Sequence, residues 1–254
     1  MLYVYAVTRE AATPDAEGVD GTTRFGTATV DDIHAVFTPV NAAEFSQDVI
    51  DRRAGDLEWL GAIGYRHQAV MADLMKKTAI VPLRAFTLFS SEEALRSYLT
   101  EQRELLSKTL DRLGGKQEWT LRIELDPVHW NEALAGRVAS LRDLQNEIAA
   151  ASPGKAFLLR KKLDDEKKRA SHAAEDELVG EIEQAVMAKL GCETVAESRQ
   201  RRDGAFPQIN VLLQRDEESV LQELRDELAA RYQHEGVSLA LSGPWPPYTF
   251  ATMS

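Results

Sequence analysis

The glycine pair at 114–115 is the feature that most restricts how this chain can fold. Residues 90–113 before it repeat leucine at helical spacing, whereas residues 118–125 after it alternate apolar and polar side chains, as a strand does. Two glycines between such segments end the helix and let the backbone take a new direction. The sequence therefore predicts a first domain at 1–116 and a second at 117–254, and 254 residues are enough for both.

The first half alternates strand and helix patterns in the order β-β-β-α-β-α. Its main helix is predicted from Asp56, a capping residue, to about Lys76, and this helix carries His67 on its apolar face. A buried strand at 79–89 follows, and Pro82 within it favours an edge position or a bulge. The leucine-rich helix then completes a small α+β domain.

The second half follows the order β-α-β-β-α-β, with its first helix enlarged into a long helical hairpin. Two long helices are predicted, one at about 130–150 and one from the SPGK break at 152–155 to about 190. The stretch 164–172 has no apolar side chain larger than alanine, so we expect this hairpin to project past the core. A strand hairpin across 203–205, a helix and a final strand at 237–242 complete a ferredoxin-like pattern. The predicted fold class is thus α+β with two domains.

Charge and composition exclude several classes of function. The net charge of −11 argues against a nucleic-acid partner, and the single cysteine excludes an intramolecular disulfide and a cysteine-based metal cluster. No stretch approaches the roughly 20 apolar residues needed to cross a bilayer, and the start lacks the pattern of a signal peptide. Phosphate-binding and metalloprotease motifs are absent. We therefore expect a cytoplasmic protein without a cofactor, a metal, nucleic acid or a membrane partner.

Two polar residues stand among apolar neighbours and are candidates for a site. His67 is either a half-buried histidine bonded to backbone or to a neighbouring strand, or a catalytic base that needs a carboxylate or nucleophile nearby. Arg84 either pairs with a carboxylate of its own domain or holds an anionic ligand or a partner's carboxylate. The sequence leaves both alternatives open.

The charged run at 160–169 also has two interpretations. Its signs alternate in short blocks at helical spacing, which is typical of a solvated helix stabilised by i,i+4 ion pairs. Alternatively, another helix docks along this hairpin.

The C-terminal tail is unusually stiff and apolar for a chain end. It contains Gly243, followed by prolines that restrict the backbone and by aromatic side chains that can be laid on a surface at small entropic cost. That surface is either the first domain or a binding partner. The tail residues that are candidates for partner binding are Trp245, Pro246, Pro247 and Tyr248.

Four segments in the right order resemble the gas vesicle protein F/L family. They are LYVYAV at 2–7, the histidine helix and V-P-x-R strand at 67–84, SPGKAFLLRKK at 152–162 and GPWPPYTF at 243–250. This chain departs from the family pattern at Ala85 and Phe86, where many members have Phe-Gly. Loss of that glycine removes a position that tolerates positive φ. The motifs do not separate F-type from L-type members.

The resemblance implies a non-enzymatic accessory protein of gas vesicle assembly with two domains, the second ferredoxin-like. It implies binding to the small, hydrophobic main shell protein, and to other accessory proteins, in the cytoplasm or at the vesicle. A soluble acidic cover could limit aggregation of an apolar shell subunit. The alternative, from a different class, is a ferredoxin-like enzyme or small-ligand-binding protein with a site near Arg84 and His67.

Overall fold

The computed structural model describes residues 1–197 and 206–251, which divide into two compact units. The first unit is Met1–Glu118 together with the tail from Pro244, and the second is Trp119–Gly243. The division lies close to the predicted glycine boundary. It differs from the sequence-based assignment in one respect, because the tail groups with the first unit and not with the second.

The first unit mixes strands and helices. Its elements in chain order are β1 (Leu2–Thr8), β2 (Gly26–Val30), β3 (Ile33–Pro39), α1 (Ala42–Phe45), α2 (Gln47–Arg53), α3 (Leu57–Lys77), β4 (Ile80–Pro82), β5 (Leu88–Phe89) and α4 (Glu92–Leu113).

An antiparallel sheet organises this unit, with strand order β2-β3-β1-β4 and β5 also paired with β1. Along β1 the partners are Tyr3 with Thr38 and Val7 with Ala35, and the register shifts between Val4 and Ala6. The extra residue is a β-bulge, which bends the strand and increases its local twist. β1 is therefore the central strand, and its pairing is split between β4 and β5.

Both faces of β1 are covered, because every residue from Tyr3 to Thr8 is buried. Helix α3 begins at the predicted cap, where the Asp56 side chain accepts a hydrogen bond from the Trp59 backbone. Its buried residues recur at helical spacing and include His67, and they pack in one cluster with Tyr3 and Tyr5. The α4 helix buries the predicted leucine stripe and also contacts the sheet. This packing places His67 beneath the tyrosines of β1.

The second unit also mixes helices and strands. Its elements are β6 (Lys116–Leu125), which begins before the unit boundary, α5 (Pro127–Arg137), α6 (Ala139–Ala150), α7 (Pro153–Leu190), β7 (Glu193–Glu197), β8 (Gln208–Gln214), α8 (Glu218–Tyr232) and β9 (Val237–Trp245), which ends beyond the boundary at Gly243, with short 3-10 turns at Arg215–Glu217 and Gln233–Glu235.

The sheet of this unit has the strand order β7-β8-β6-β9. Its core joins the apolar side chains of β6, α5, α7, β8 and α8. The prediction of one helix at 130–150 is wrong in detail, because Val138 takes an extended conformation and separates α5 from α6. Gly136 just before it lowers helix propensity and favours a break here. The turn predicted at 203–205 lies outside the described residues.

Helix α7 is the longest element, with 38 residues. From Ala174 onward it contributes buried side chains to the core, whereas in its first half Ala156 is the buried position. Within the described part of the chain, no helix combines the length and apolar character needed to cross a membrane.

Candidate functional site

The C-terminal tail is fixed on the first unit by three successive residues. The Tyr248 hydroxyl lies 2.8 Å from His67 Nε2. Thr249 donates to the buried Glu118 carboxylate from its backbone N–H at 3.0 Å and from its hydroxyl at 2.7 Å. The buried Phe250 offers its carbonyl to the Arg112 guanidinium. The tail is thus an integral part of the first unit.

Two prolines shape the tail before these contacts. Pro246 and Pro247 are buried, and their carbonyls accept hydrogen bonds from the backbones of Tyr248 at 2.7 Å and Ala251 at 2.8 Å. Gly243, near the end of β9, adopts a φ of 142°, a conformation that side chains disfavour. Proline and glycine together therefore set the path that delivers Tyr248 to His67.

His67 is held between two tyrosines. Its Nδ1 lies 3.0 Å from the Tyr3 hydroxyl, and the Tyr5 ring stacks on the imidazole with 5.6 Å between ring centres. The Tyr3 oxygen also accepts from the Phe86 backbone N–H at 3.1 Å. All these groups are satisfied when Tyr3 donates to Nδ1 and the Nε2–H donates to the Tyr248 oxygen.

Burial keeps this cluster neutral. It lowers the pKa of His67 to about 4, although a backbone hydrogen bond with Leu83 acts in the opposite direction. Burial raises the pKa of Tyr248 to about 12 and raises that of Tyr3 as well. A neutral histidine with both nitrogens bonded to tyrosines positions the tail, and it has no free nitrogen to act as a base. His67 is therefore a packed, hydrogen-bonded histidine whose partners lie on β1 and on the tail.

Arg84 lies in a loop and not in a strand. The strand predicted at 79–89 is divided into β4 and β5, and residues 83–87 form a turn in which the Thr87 backbone and hydroxyl donate to the Arg84 carbonyl at 3.1 and 2.6 Å. The Arg84 side chain is exposed and makes no ion pair with any residue of 1–197 or 206–251. The internal ion pair, one of the two alternatives left open by the sequence, is not made there, and the guanidinium faces solvent.

Phe86 explains both the broken strand and the departure from the family pattern. It adopts φ 65°, the left-handed conformation that usually requires glycine. Its ring packs against Trp59 with 5.4 Å between centres and against Tyr3 with 6.3 Å. An aromatic residue therefore adopts here a positive φ that glycine tolerates more easily, and its ring gains packing in return.

The predicted candidates divide into two groups. His67, Pro246, Pro247 and Tyr248 hold the tail against the first unit, so their contacts are internal. Trp245, with 41% of its surface exposed, and Arg84 present an aromatic ring and a charge to solvent.

Sequence reasoning missed an apolar surface on the outer face of α3. Leu57 is 81% and Tyr65 78% exposed, and Gly61 and Gly64 lie between them with open space where a side chain would begin. Gln68 continues the same face. These five residues, the α3 outer face, are uncharged in a chain with 28% charged residues, and the exposed Glu58 borders them beside Tyr65. The spacing of Leu57, Gly61 and Tyr65 four residues apart was the available signal.

Among the described residues, no three His, Cys, Asp or Glu side chains are grouped so that they could hold a metal ion. The features of the first unit that face solvent include the apolar α3 outer face and the charge of Arg84. Such a combination can bind another protein.

Comparisons with known proteins cover the whole chain. A family model described as "Gas vesicle synthesis protein GvpL/GvpF" matches residues 1–252. Gas vesicle protein L of a Streptomyces species is 27% identical over 99% of this chain and 92% of its own length. Gas vesicle protein L2 of Halobacterium salinarum is 29% identical over 98% of this chain and 90% of its own length.

Two solved structures share the fold. The crystal structure of gas vesicle protein GvpF from Microcystis aeruginosa matches with a TM-score of 0.66 and 14% identity, covering 99% of this chain and 98% of that one. The crystal structure of GvpF from an Anabaena species matches with a TM-score of 0.67 and 14% identity, covering 100% of this chain and 96% of that one.

Proposed function

This chain belongs to the GvpL/GvpF family of gas vesicle synthesis proteins, and we propose that within gas vesicle assembly it binds the small, hydrophobic main shell protein and limits its aggregation. The binding is non-enzymatic and takes place in the cytoplasm or at the growing vesicle. Other accessory proteins of the same system are further partners, and the bound protein either leaves or stays as a minor component.

The observation that carries this proposal is the α3 outer face. A shell subunit with an apolar surface needs an uncharged surface to cover it. Leu57 and Tyr65 offer large exposed side chains, and moving them out of water into an interface lowers the free energy of the complex. Gly61 and Gly64 leave room between them for a close approach of the partner's backbone. The remaining surface of an acidic chain keeps the complex dispersed.

Arg84 and Trp245 are second contacts in the same proposal. An exposed guanidinium without an ion-pair partner among the described residues can bind a carboxylate of the shell protein without first breaking an existing pair. The half-exposed Trp245 ring adds apolar area of the kind enriched at interfaces.

The test is co-expression with the main shell protein of the same organism, followed by affinity capture from the soluble fraction. Wild type should retain the shell protein in solution and co-elute with it, and the double variant L57D/Y65D should lose about tenfold or more of the captured material, because charges then enter the apolar contact.

The control is Val128→Asp, compared with each single variant L57D and Y65D, because each of the three places one new charge on an exposed apolar side chain; Val128 lies in α5 of the second unit. Equal losses for L57D, Y65D and V128D would remove α3 from the proposal. Aggregation of the shell protein with nothing co-eluting from wild type would overturn shell-protein binding itself.

A further inference from the structure

Helix α7 has its charges separated along its length. Residues 153–169 contain seven Lys and Arg against three Asp and Glu, whereas residues 173–188 contain five Asp and Glu and no Lys or Arg. One half of the helix is therefore positive and the other half negative. Such a helix is complementary to a copy of itself that runs in the opposite direction.

Contacts within the chain do not account for the positive half. Lys155 pairs with Glu147 at 2.9 Å and Arg169 with Glu166 at 3.5 Å. Residues 160–162, an arginine and two lysines, are exposed and form no ion pair with the described residues. The i,i+4 pairs expected for a solvated charged helix are not made at these positions.

A single line of residues runs along one side of α7, exposed except at the half-buried Gly180 and Glu183, and the Glu183 carboxylate also accepts from the Thr194 hydroxyl at 2.8 Å. Its members follow one another at intervals of three or four residues, which keeps them on one face of a helix. They are Leu158, Lys162, Asp165, Arg169, His172, Asp176, Gly180, Glu183 and Met187. The two ends of this line are apolar and exposed, with Leu158 at 67% and Met187 at 49%.

We infer that this line is the docking face for a second copy of the chain, in an antiparallel α7–α7 pair centred between residues 172 and 173. In that register Leu158 of each copy lies opposite Met187 of the other, Lys162 opposite Glu183, and Arg169 opposite Asp176. Asp165 lies opposite Gly180, which has nothing within 4 Å of a Cβ position and so leaves room for close approach. Every contact occurs twice because of the two-fold axis.

The physical consequences follow from exposure. Leu158–Met187 contacts at both ends bury apolar area, while the exposed ion pairs between them contribute modestly and mainly fix direction and register. Between residues 158 and 187 the paired length is about 44 Å at 1.5 Å per residue. Because the ion pairs along this length are exposed, the dimer should weaken as salt screens the charges. The inference is independent of shell-protein binding.

Sedimentation velocity of the full-length protein across a concentration series, at low and high salt, tests the inference. Wild type should show a monomer–dimer equilibrium that shifts toward monomer at high salt. Arg169→Glu places two carboxylates opposite each other at both symmetric contacts, so the dissociation constant should rise about tenfold or more.

Two further variants make the result specific. Lys168→Glu makes the same charge change one residue away, off the line, and should leave the equilibrium near that of wild type. The double variant R169E/D176R reverses both members of the pair in every copy and should restore the dimer. Circular dichroism shows whether each variant keeps its helices. A monomer at every concentration, or a dimer that R169E does not weaken, overturns the antiparallel pair.

Discussion

The tail at 243–251 and the first half of α7 are built from similar residues but are used in opposite ways. Each combines proline and glycine with large apolar side chains. In the tail, Phe250 is 3% exposed and its neighbours bond to His67 and Glu118. At the start of α7, Phe157 is 70% and Leu158 67% exposed. The first segment closes its own fold, and the second leaves apolar surface uncovered.

The difference teaches that stiffness and apolar character alone do not identify a binding segment. The tail finds partners because the buried polar groups of the first unit need hydrogen bonds, and Tyr248 and Thr249 supply them. At the start of α7, Ala156 is the buried position and the charged side chains at 160–162 face solvent, so water and not the rest of the chain satisfies them. Its exposed side chains are consequently available to other molecules.

The largest expected difference in stability is between alanine variants of two phenylalanines, Phe250 in the tail and Phe157 in α7. Phe250→Ala removes a buried ring and leaves a cavity, so the free energy of unfolding should fall by about 3–5 kcal/mol. Phe157→Ala changes an exposed side chain and should stay within about 0.5 kcal/mol of wild type. Urea denaturation at pH 7, followed by circular dichroism, measures both. Similar losses for the two variants would contradict the contrast between the tail and α7.

Acid should loosen the tail through His67. The folded-state pKa is about 4 and the ordinary value is 6.5, so the unfolded chain takes up the proton first as the pH falls. The contribution of neutral His67 to the free energy of unfolding is therefore fully present above pH 6.5. It is lost progressively down to pH 4, by about 3 kcal/mol if this histidine acted alone.

His67→Gln isolates that contribution, because glutamine keeps hydrogen-bonding capacity and does not titrate. The free energy of unfolding of wild type minus that of the variant should decrease between pH 6.5 and 4, while carboxylate effects common to both proteins cancel. A difference that stays constant with pH would show that His67 titrates alike in the folded and unfolded chains.

The smallest effect concerns glycine in the two segments. Gly243→Ala puts a side chain at φ 142° and should cost about 1–3 kcal/mol. Gly154→Ala lies in the first turn of α7, where nothing is within 4 Å of the new Cβ. There the helix propensity of alanine should raise stability by up to about 1 kcal/mol. Thermal melts of the two variants should move in opposite directions, and a shared direction would refute this part of the contrast.

Periodicity alone predicted most of the secondary structure. The α3 helix with its Asp56 cap and the leucine stripe of α4 were readable because a helix repeats its contacts locally. The strand at 79–89 was not predicted correctly, because its interruption depends on the positive φ of Phe86. That conformation is stabilised by packing against Trp59 and Tyr3, which are far away in sequence.

The candidate site shows the same division. The sequence indicated that His67 and the tail aromatics mattered, but it left open whether they met. It also left open whether Arg84 has an internal partner, and the structure leaves that side chain in solvent. The α3 outer face was not predicted, because the apolar stripe that identifies a helix in a sequence marks its buried side and says little about the opposite one.

The sequence by itself determined the mixed helix and sheet character of this protein, the stiffness of its tail and its family, since four short motifs in order carry that information. Only the tertiary structure decided which unit the tail joins, which nitrogen of His67 meets which tyrosine, and which apolar side chains remain exposed. The physical reason is the separation along the chain over which each kind of interaction acts. Propensity and periodicity act over a few residues, whereas burial and hydrogen-bond satisfaction depend on groups 64 and 181 residues apart in the chain, as in the contacts of His67 with Tyr3 and Tyr248.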